Sequence, residues 1–358
     1  MEILLVGGVF DHEGGRPSGI TNKMAYLLKA DVFNGGYIHD LVDIYSCIEK
    51  YDVVIWTPSI ANNVVKLIKT IKINFPKIML ITSKRNNDEY SFQYMINHAL
   101  GLKSNLFIVF NTTGDLMRFS LYDPLGAEWC APTSNLEHLT TSIISRVTKL
   151  NSITRQGSVP GEIIVTGTSV VEKSLLEYIK KSADIFHDLI EPADNVTRFL
   201  GNSSFRCTKG FPSFRAFDDY IAVTKRNIDK RCIDEDAFVY VRLCDDGILY
   251  RYSKDKPSVD TLIQVRLYKT YKKICFMIHS HVYVNGAPFT KNSIPCGGLE
   301  EVDEITSVIT DKDCTDFSVN LIGHGSLIGV SNLHDFKKYS FYARNVPEKM
   351  EELDNGGV

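Results

Sequence analysis

Over the first 150 residues, short unbroken apolar runs alternate with stretches of helical period. Residues 2–6 (Glu-Ile-Leu-Leu-Val), 52–56 (Asp-Val-Val-Ile-Trp), 77–82 and 106–110 read as strands. Residues 20–28, 62–73, 90–100 and 134–149 repeat their apolar positions every three or four residues and read as helices. An apolar run without polar alternation belongs to a strand buried on both faces. Such strands separated by helices build a mostly parallel sheet with helices on either side. The pattern predicts one α/β domain over residues 1–150. The polar stretch 151–160, with Gly157 and Pro160 near its end, predicts a linker.

The first strand runs into Gly7 and Gly8, and a loop rich in glycine, Asp11 to Gly19, leads to the first helix. In an open, Rossmann-like parallel sheet this loop presents a helix amino terminus, with its unsatisfied N–H groups, to a phosphate or nucleotide. Gly8, Arg16 and Ser18 are the candidate ligand residues there. The spacing is neither the dinucleotide fingerprint nor the P-loop. A long surface loop punctuated by turn residues is the competing reading, and no ligand is named by the motif.

Composition narrows the function classes. The 358 residues are 44% hydrophobic and 23% charged, as in an ordinary globular protein long enough for two domains. Forty basic against 43 acidic residues give a formal charge of -3, which supplies no field for nucleic acid or an anionic membrane. The eight cysteines form no CxxC pair, and several sit in apolar runs, so they read as buried reduced thiols. The amino terminus lacks a basic flank with a long apolar stretch, and no apolar run is long enough to span a bilayer. These features predict a cytoplasmic protein with no membrane and no nucleic-acid partner.

The chemistry is concentrated in the second half. An apolar strand, Ile274 to Ile278, delivers His279 and His281 to its carboxyl end. Alternation along a strand turns residues i and i+2 to the same face, a geometry for two ligands of one ion. A third histidine, His324, follows another apolar run and is flanked by Gly323 and Gly325. Three neutral imidazoles with an open fourth position make a catalytic site for zinc or another divalent metal. Taken alone, His-X-His is also compatible with histidines paired to backbone carbonyls. Upstream, Lys256-Pro257-Ser258-Val259-Asp260 reads as a helix entry with Ser258 as N-cap and Asp260 in the first turn. A first-turn carboxylate there either faces the histidines or only favours the helix dipole.

Gly201 to Arg206, Thr224 to Asn227, Lys256 to Asp260, His279 to His281, Ile294-Pro295 and Gly323 to Gly325 occur in an order that resembles the class II aldolase/adducin family. The resemblance covers about residues 165–345, and it implies a domain over 161–348 with a polar tail at 349–358. It also implies an α/β/α fold around a mainly antiparallel sheet, with zinc on His279, His281 and His324. Asp260 inherits the general acid/base role, and Asn202, Thr224 and Ser258 fall where the family binds a substrate phosphate. The implied activity is aldol cleavage of a phosphorylated or other anionic sugar through a metal-stabilised enediolate, in a homo-oligomer, commonly a tetramer. Epimerisation, dehydration and a non-catalytic adducin-like role are the alternatives within the family.

Three departures stand out. Asp260 replaces the usual Glu and is one methylene shorter; Val259 replaces a second Ser; and Thr224-Lys225-Arg226-Asn227 lacks the usual Ser-Gly. Lys225 and Arg226 add charge that suits an anion held differently. A metalloprotease reading fails because Val282 to Phe289 contains neither the Ser nor the Asp it requires.

Overall fold

The computed structural model describes residues 1–58, 62–86, 90–113, 116–153, 171, 173–189, 199–207, 220–243, 249–251, 253–342 and 348–350. Most of the expected linker, 154–160, the expected boundary at 161 and residues 351–358 of the expected tail lie outside them. Two compact units are present. One is built on Met1–Asn151 and takes in the strand Glu348–Lys349; the other is built from described residues between 152 and 344.

In the first unit the chain runs through β1 (Ile3–Asp11), α1 (Gly19–Leu28), β2 (Asp31–Tyr37), α2 (Asp40–Cys47), β3 (Val53–Trp56), α3 (Asn62–Asn74) and β4 (Met79–Asn86). It continues through α4 (Phe92–Gly101), β5 (Leu106–Thr113), β6 (Leu116–Tyr122), β7 (Ala127–Thr133) and α5 (Leu136–Ser152). The sheet order is β2-β1-β3-β4-β5-β6-β7, with Glu348–Lys349 beyond β7. The β2-to-β5 part is parallel, as the unbroken apolar runs require: Leu4, Val54 and Leu80 are wholly buried. β5–β6 and β6–β7 pair antiparallel, an addition the pattern did not announce.

The second unit carries α6 (Lys173–Leu189), β8 (Asn202–Arg206), β9 (Ile221–Thr224), β10 (Phe238–Leu243), β11 (Leu249–Arg251), α7 (Thr261–Thr270) and β12 (Phe276–Ser280). After it come β13 (Tyr283–Val284), α8 (Glu301–Val308), β14 (Asp316–Leu321), β15 (Gly325–Val330) and β16 (Phe341–Tyr342). The seven-stranded sheet has the order β11-β10-β9-β8-β12-β15-β14, and every pairing in it is antiparallel.

Period-two alternation makes two cores. Phe205, Phe238, Tyr240 and Ile278 pack on one face with Leu175 and Ile179 of α6. Val223, Val239, Met277 and Val319 pack on the other with Leu262 and Val265 of α7 and Ile305 of α8. The unit is therefore α/β/α in layers. Since His279 lies two residues after Met277, the strand turns its imidazole to the face covered by α7 and α8.

Candidate metal centre

β12 is the axis of the site. His279 is paired in the ladder with Asn202 of β8 on one side and with Leu327 of β15 on the other; His281 lies just past the strand's end. The neighbouring backbones come close enough to require glycine. Gly201 has φ of +75°, and a Cβ there would stand 2.6 Å from the His279 carbonyl oxygen. A Cβ on Gly325 would stand 2.0 Å from that of Ser280. His324 sits in the turn between β14 and β15, past the end of the strand expected to carry it. That turn is fixed by the Gly323 N–H donating to Tyr283 Oη at 3.0 Å and the Ile322 N–H donating to Thr290 Oγ1 at 3.0 Å.

The three expected histidines meet. Their ring centroids are 4.7 to 5.2 Å apart, and one donor atom from each falls within 4.8 Å of the others. His279 Nδ1 lies 2.9 Å from the Ser326 carbonyl, so it carries the proton and donates; Nε2 is left with its lone pair, buried and without a partner. Burial, reinforced by the neighbouring His324, lowers the His279 pKa to about 4, so the ring is neutral at pH 7. A buried nitrogen lone pair with no donor is costly unless something occupies it, and a metal ion does so.

His324 is held differently. Its Nδ1 lies 2.8 Å from Glu301 Oε1, and its Nε2 is 3.1 Å from Cys296 Sγ. Burial alone would lower its pKa, but Cys296 and Glu301 together hold it well above the ordinary value. Burial also raises the pKa of Glu301, which is 4% exposed. A carboxylate on the far nitrogen of an imidazole is the arrangement that orients a metal-ligating histidine. Neither Glu301 nor Cys296 was singled out from the sequence. Each reaches His324 across more than twenty residues of chain, a separation that leaves no spacing signal.

Asp260 has a different place from the expected one. The backbone at 256–258 is pinned to the end of β9, with the Arg226 N–H donating to the Lys256 carbonyl and the Ser258 N–H to the Thr224 carbonyl. Only after that bridge can a helix begin, so Asp260, not Ser258, is the N-cap of α7. Its side chain caps nothing in the helix. Instead Oδ2 accepts from Asn202 Nδ2 at 2.9 Å and Oδ1 accepts from the Gly297 N–H at 2.8 Å. Asn202 stands opposite His279 in the ladder and Gly297 follows Cys296, so the carboxylate is tied to both arms of the cluster.

The three expected phosphate contacts are placed as follows. Asn202 is buried, with its amide nitrogen on Asp260 and its oxygen accepting from Gln264 Nε2. Thr224 is wholly buried and its Oγ1 accepts from the Ser203 N–H at 3.2 Å. Ser258 is half-buried, its Oγ accepting from the Asp260 N–H at 3.4 Å. Tyr339, a further hydroxyl in the carboxyl-terminal stretch, donates to Asp316 Oδ2 at 3.1 Å and packs against the α6-side core.

In the first unit, Gly8, Arg16 and Ser18 all line a cavity of about 490 Å³, with Thr57, Arg85 and Phe110 among the other walls. Ser18 is the N-cap of α1, accepting from the Thr21 N–H at 3.4 Å.

Residues 182–309 match the family described as the Class II Aldolase and Adducin N-terminal domain. Residues 182–309, within the carboxyl-terminal portion of the chain, are a class II aldolase/adducin N-terminal domain. Solved structures similar in fold include an L-fuculose 1-phosphate aldolase, 16% identical, with 48% of this chain covered and 85% of that one, TM-score 0.33. The N-terminal class II aldolase domain of a conserved protein from Thermoplasma acidophilum is 14% identical, over 49% and 91% of the two chains, TM-score 0.30. A DNA/pantothenate metabolism flavoprotein from Streptococcus pneumoniae is 12% identical, over 42% and 99%, TM-score 0.35. Likenesses at this level say nothing of activity. No curated protein matches the chain. Among the described residues no helix is long and apolar enough to cross a membrane, and the cysteines form no disulfide.

Proposed function

We propose that this protein is a divalent-metal-dependent lyase of aldolase type, with zinc as the metal, acting on a phosphorylated or other anionic sugar. The observation that carries the reading is the buried, partnerless Nε2 of His279 within reach of two further imidazoles. His279, His281 and His324 would hold the ion, and the donor set is the one borderline-soft divalent metals prefer. Bound there, the ion supplies Lewis-acid polarisation of a substrate oxygen.

The protein's own residues supply the rest. The Ser326 carbonyl fixes the His279 tautomer and Glu301 that of His324, so both rings present Nε2 to the ion. Asp260 holds or accepts a proton at a carboxylate whose direction Asn202 and Gly297 fix. Because Asn202 bonds both Asp260 and Gln264, we assign it to positioning that carboxylate; we assign the substrate anion to Ser258 with Lys225 and Arg226, which in this structure bond Asp255 and the Pro257 carbonyl. The reading keeps a homo-oligomer, to be measured by light scattering.

A screen of phosphorylated sugars for turnover that chelation abolishes and zinc restores tests the proposal. Two cleavage products identify a lyase, while an isomeric product indicates epimerisation. Stoichiometric metal with no turnover on any sugar favours an adducin-like binding role.

A further inference from the structure

We propose that Cys296 is a fourth protein ligand of the ion held by the three histidines. The inference rests on the metal reading above and deepens it. Glu301 engages Nδ1 of His324, which leaves Nε2 as that ring's donor toward the ion. Cys296 Sγ lies 3.1 Å from this same nitrogen, so the sulfur stands beside the donor the ion must use. With Zn–S of ~2.3 Å and Zn–N of ~2.0 Å, tetrahedral nitrogen and sulfur neighbours are about 3.5 Å apart, so Sγ moves outward from its present hydrogen-bond contact as it joins the set.

Two further observations point the same way. His279 Nε2, on a side chain only 4% exposed, has no hydrogen-bond partner and belongs to the same cluster. Cys296 itself is carried on a fixed turn: the Gly297 N–H donates to Asp260, and the Gly298 N–H donates to the Pro295 carbonyl at 2.9 Å. The three imidazole donors are within 4.8 Å of one another, while Cys296 approaches through His324, so joining them takes a rotation of its side chain. As the sulfur–metal bond forms, the proton shared between Sγ and Nε2 passes to solvent. Three neutral imidazoles bring no charge to the ion directly, and a thiolate adds one negative charge to the ligand set.

A His₃Cys set fills the position that a three-histidine site leaves open. A substrate oxygen must then displace the sulfur or enter as a fifth ligand. Cys296 thereby sets when the ion is available for chemistry.

Cobalt titration of the full-length protein tests this without any substrate. The expected result is a near-ultraviolet thiolate-to-cobalt charge-transfer band that saturates with one ion. Cys296→Ser removes that band while visible d–d absorption from the histidine-bound ion persists, and Cys275→Ser leaves it intact. Cobalt binding with no such band, or a band that survives in Cys296→Ser, overturns the ligand assignment but leaves the histidine site standing. Failure of the wild-type protein to bind cobalt or zinc overturns both. Should Cys296→Ser not fold, alkylation of wild-type protein with iodoacetamide decides the matter. Zinc shields Cys296 from modification if the assignment holds and leaves its labelling rate unchanged if it does not.

Discussion

Glu301 Oε1 sits 2.8 Å from Nδ1 of His324, and the two side chains are 5% and 1% exposed. A buried carboxylate against a ligating imidazole fixes its tautomer and strengthens its donor nitrogen. Glu301→Gln keeps the shape but weakens that push. We expect zinc affinity to fall about 10- to 100-fold, as for other partners of metal-bound histidines. Competition with a chromophoric chelator measures it, and an unchanged dissociation constant refutes the role given to Glu301.

His279→Ala removes the donor whose lone pair is unmatched in the buried cluster. Metal content after dialysis against zinc should drop from about one ion per chain to near zero. Mass-spectrometric metal analysis reports this directly. Retention of the full complement would show that the ion is held elsewhere.

Asp260→Asn preserves volume and removes the proton acceptor. With a substrate in hand, turnover should fall by about 10²- to 10⁴-fold while bound zinc is unchanged. Near wild-type turnover would exclude Asp260 as acid/base; loss of zinc together with turnover would make it a structural support.

Gly201→Ala forces a side chain into a left-handed backbone position 2.6 Å from the His279 carbonyl oxygen. Strain of this kind costs on the order of 1–3 kcal/mol. Urea denaturation should show a lower midpoint with zinc binding weakened in step. Equal stability of the variant would mean that β8 and β12 separate there without cost.

In the first unit, His98 is mostly buried, and burial, with Lys84 and Lys69 adding to it, lowers its pKa to about 4. Its folded value is below its unfolded one, so the unfolded chain binds the proton more readily between pH 6.5 and 4. Stability from this residue is therefore complete above pH 6.5 and lost as pH falls toward 4, by at most about 3 kcal/mol. Thermal melts across that range should show the fall, and His98→Gln should flatten it. An equally steep profile in the variant would assign the effect to other groups.

The runs at 2–6, 52–56, 77–82 and 106–110 were legible because burial on both faces leaves nothing to alternate, and each lies in or overlaps one of β1, β3, β4 and β5. β2 was not legible: Asp-Val-Phe-Asn-Gly-Gly-Tyr is an edge strand, half-exposed, with two glycines and no apolar period. The histidine pair could be read because a strand's period is local. The parts of the site that come from tertiary approach could not. Cys296 and Glu301 converge on His324 from 28 and 23 residues away, and their chemistry exists only once the β14–β15 turn is set beside α8. Asp260 was found by motif, but its orientation was not, because the bridge that delays α7 is a contact with β9.

The strand Glu348–Lys349 lies parallel to β7 at the margin of the first sheet, and the Met350 N–H donates to the Glu128 carbonyl beside it. During synthesis β7 leaves the ribosome roughly two hundred residues before this partner does, and domains generally begin to fold in that order. Until then β7 offers a bare margin on which a stray strand can add. A segment made much later thus closes the near end of this margin, at Ala127 and Glu128. A chain shortened to residues 1–152 keeps α1 to α5 but leaves Ala127 and Glu128 bare, and should self-associate more readily than the full chain.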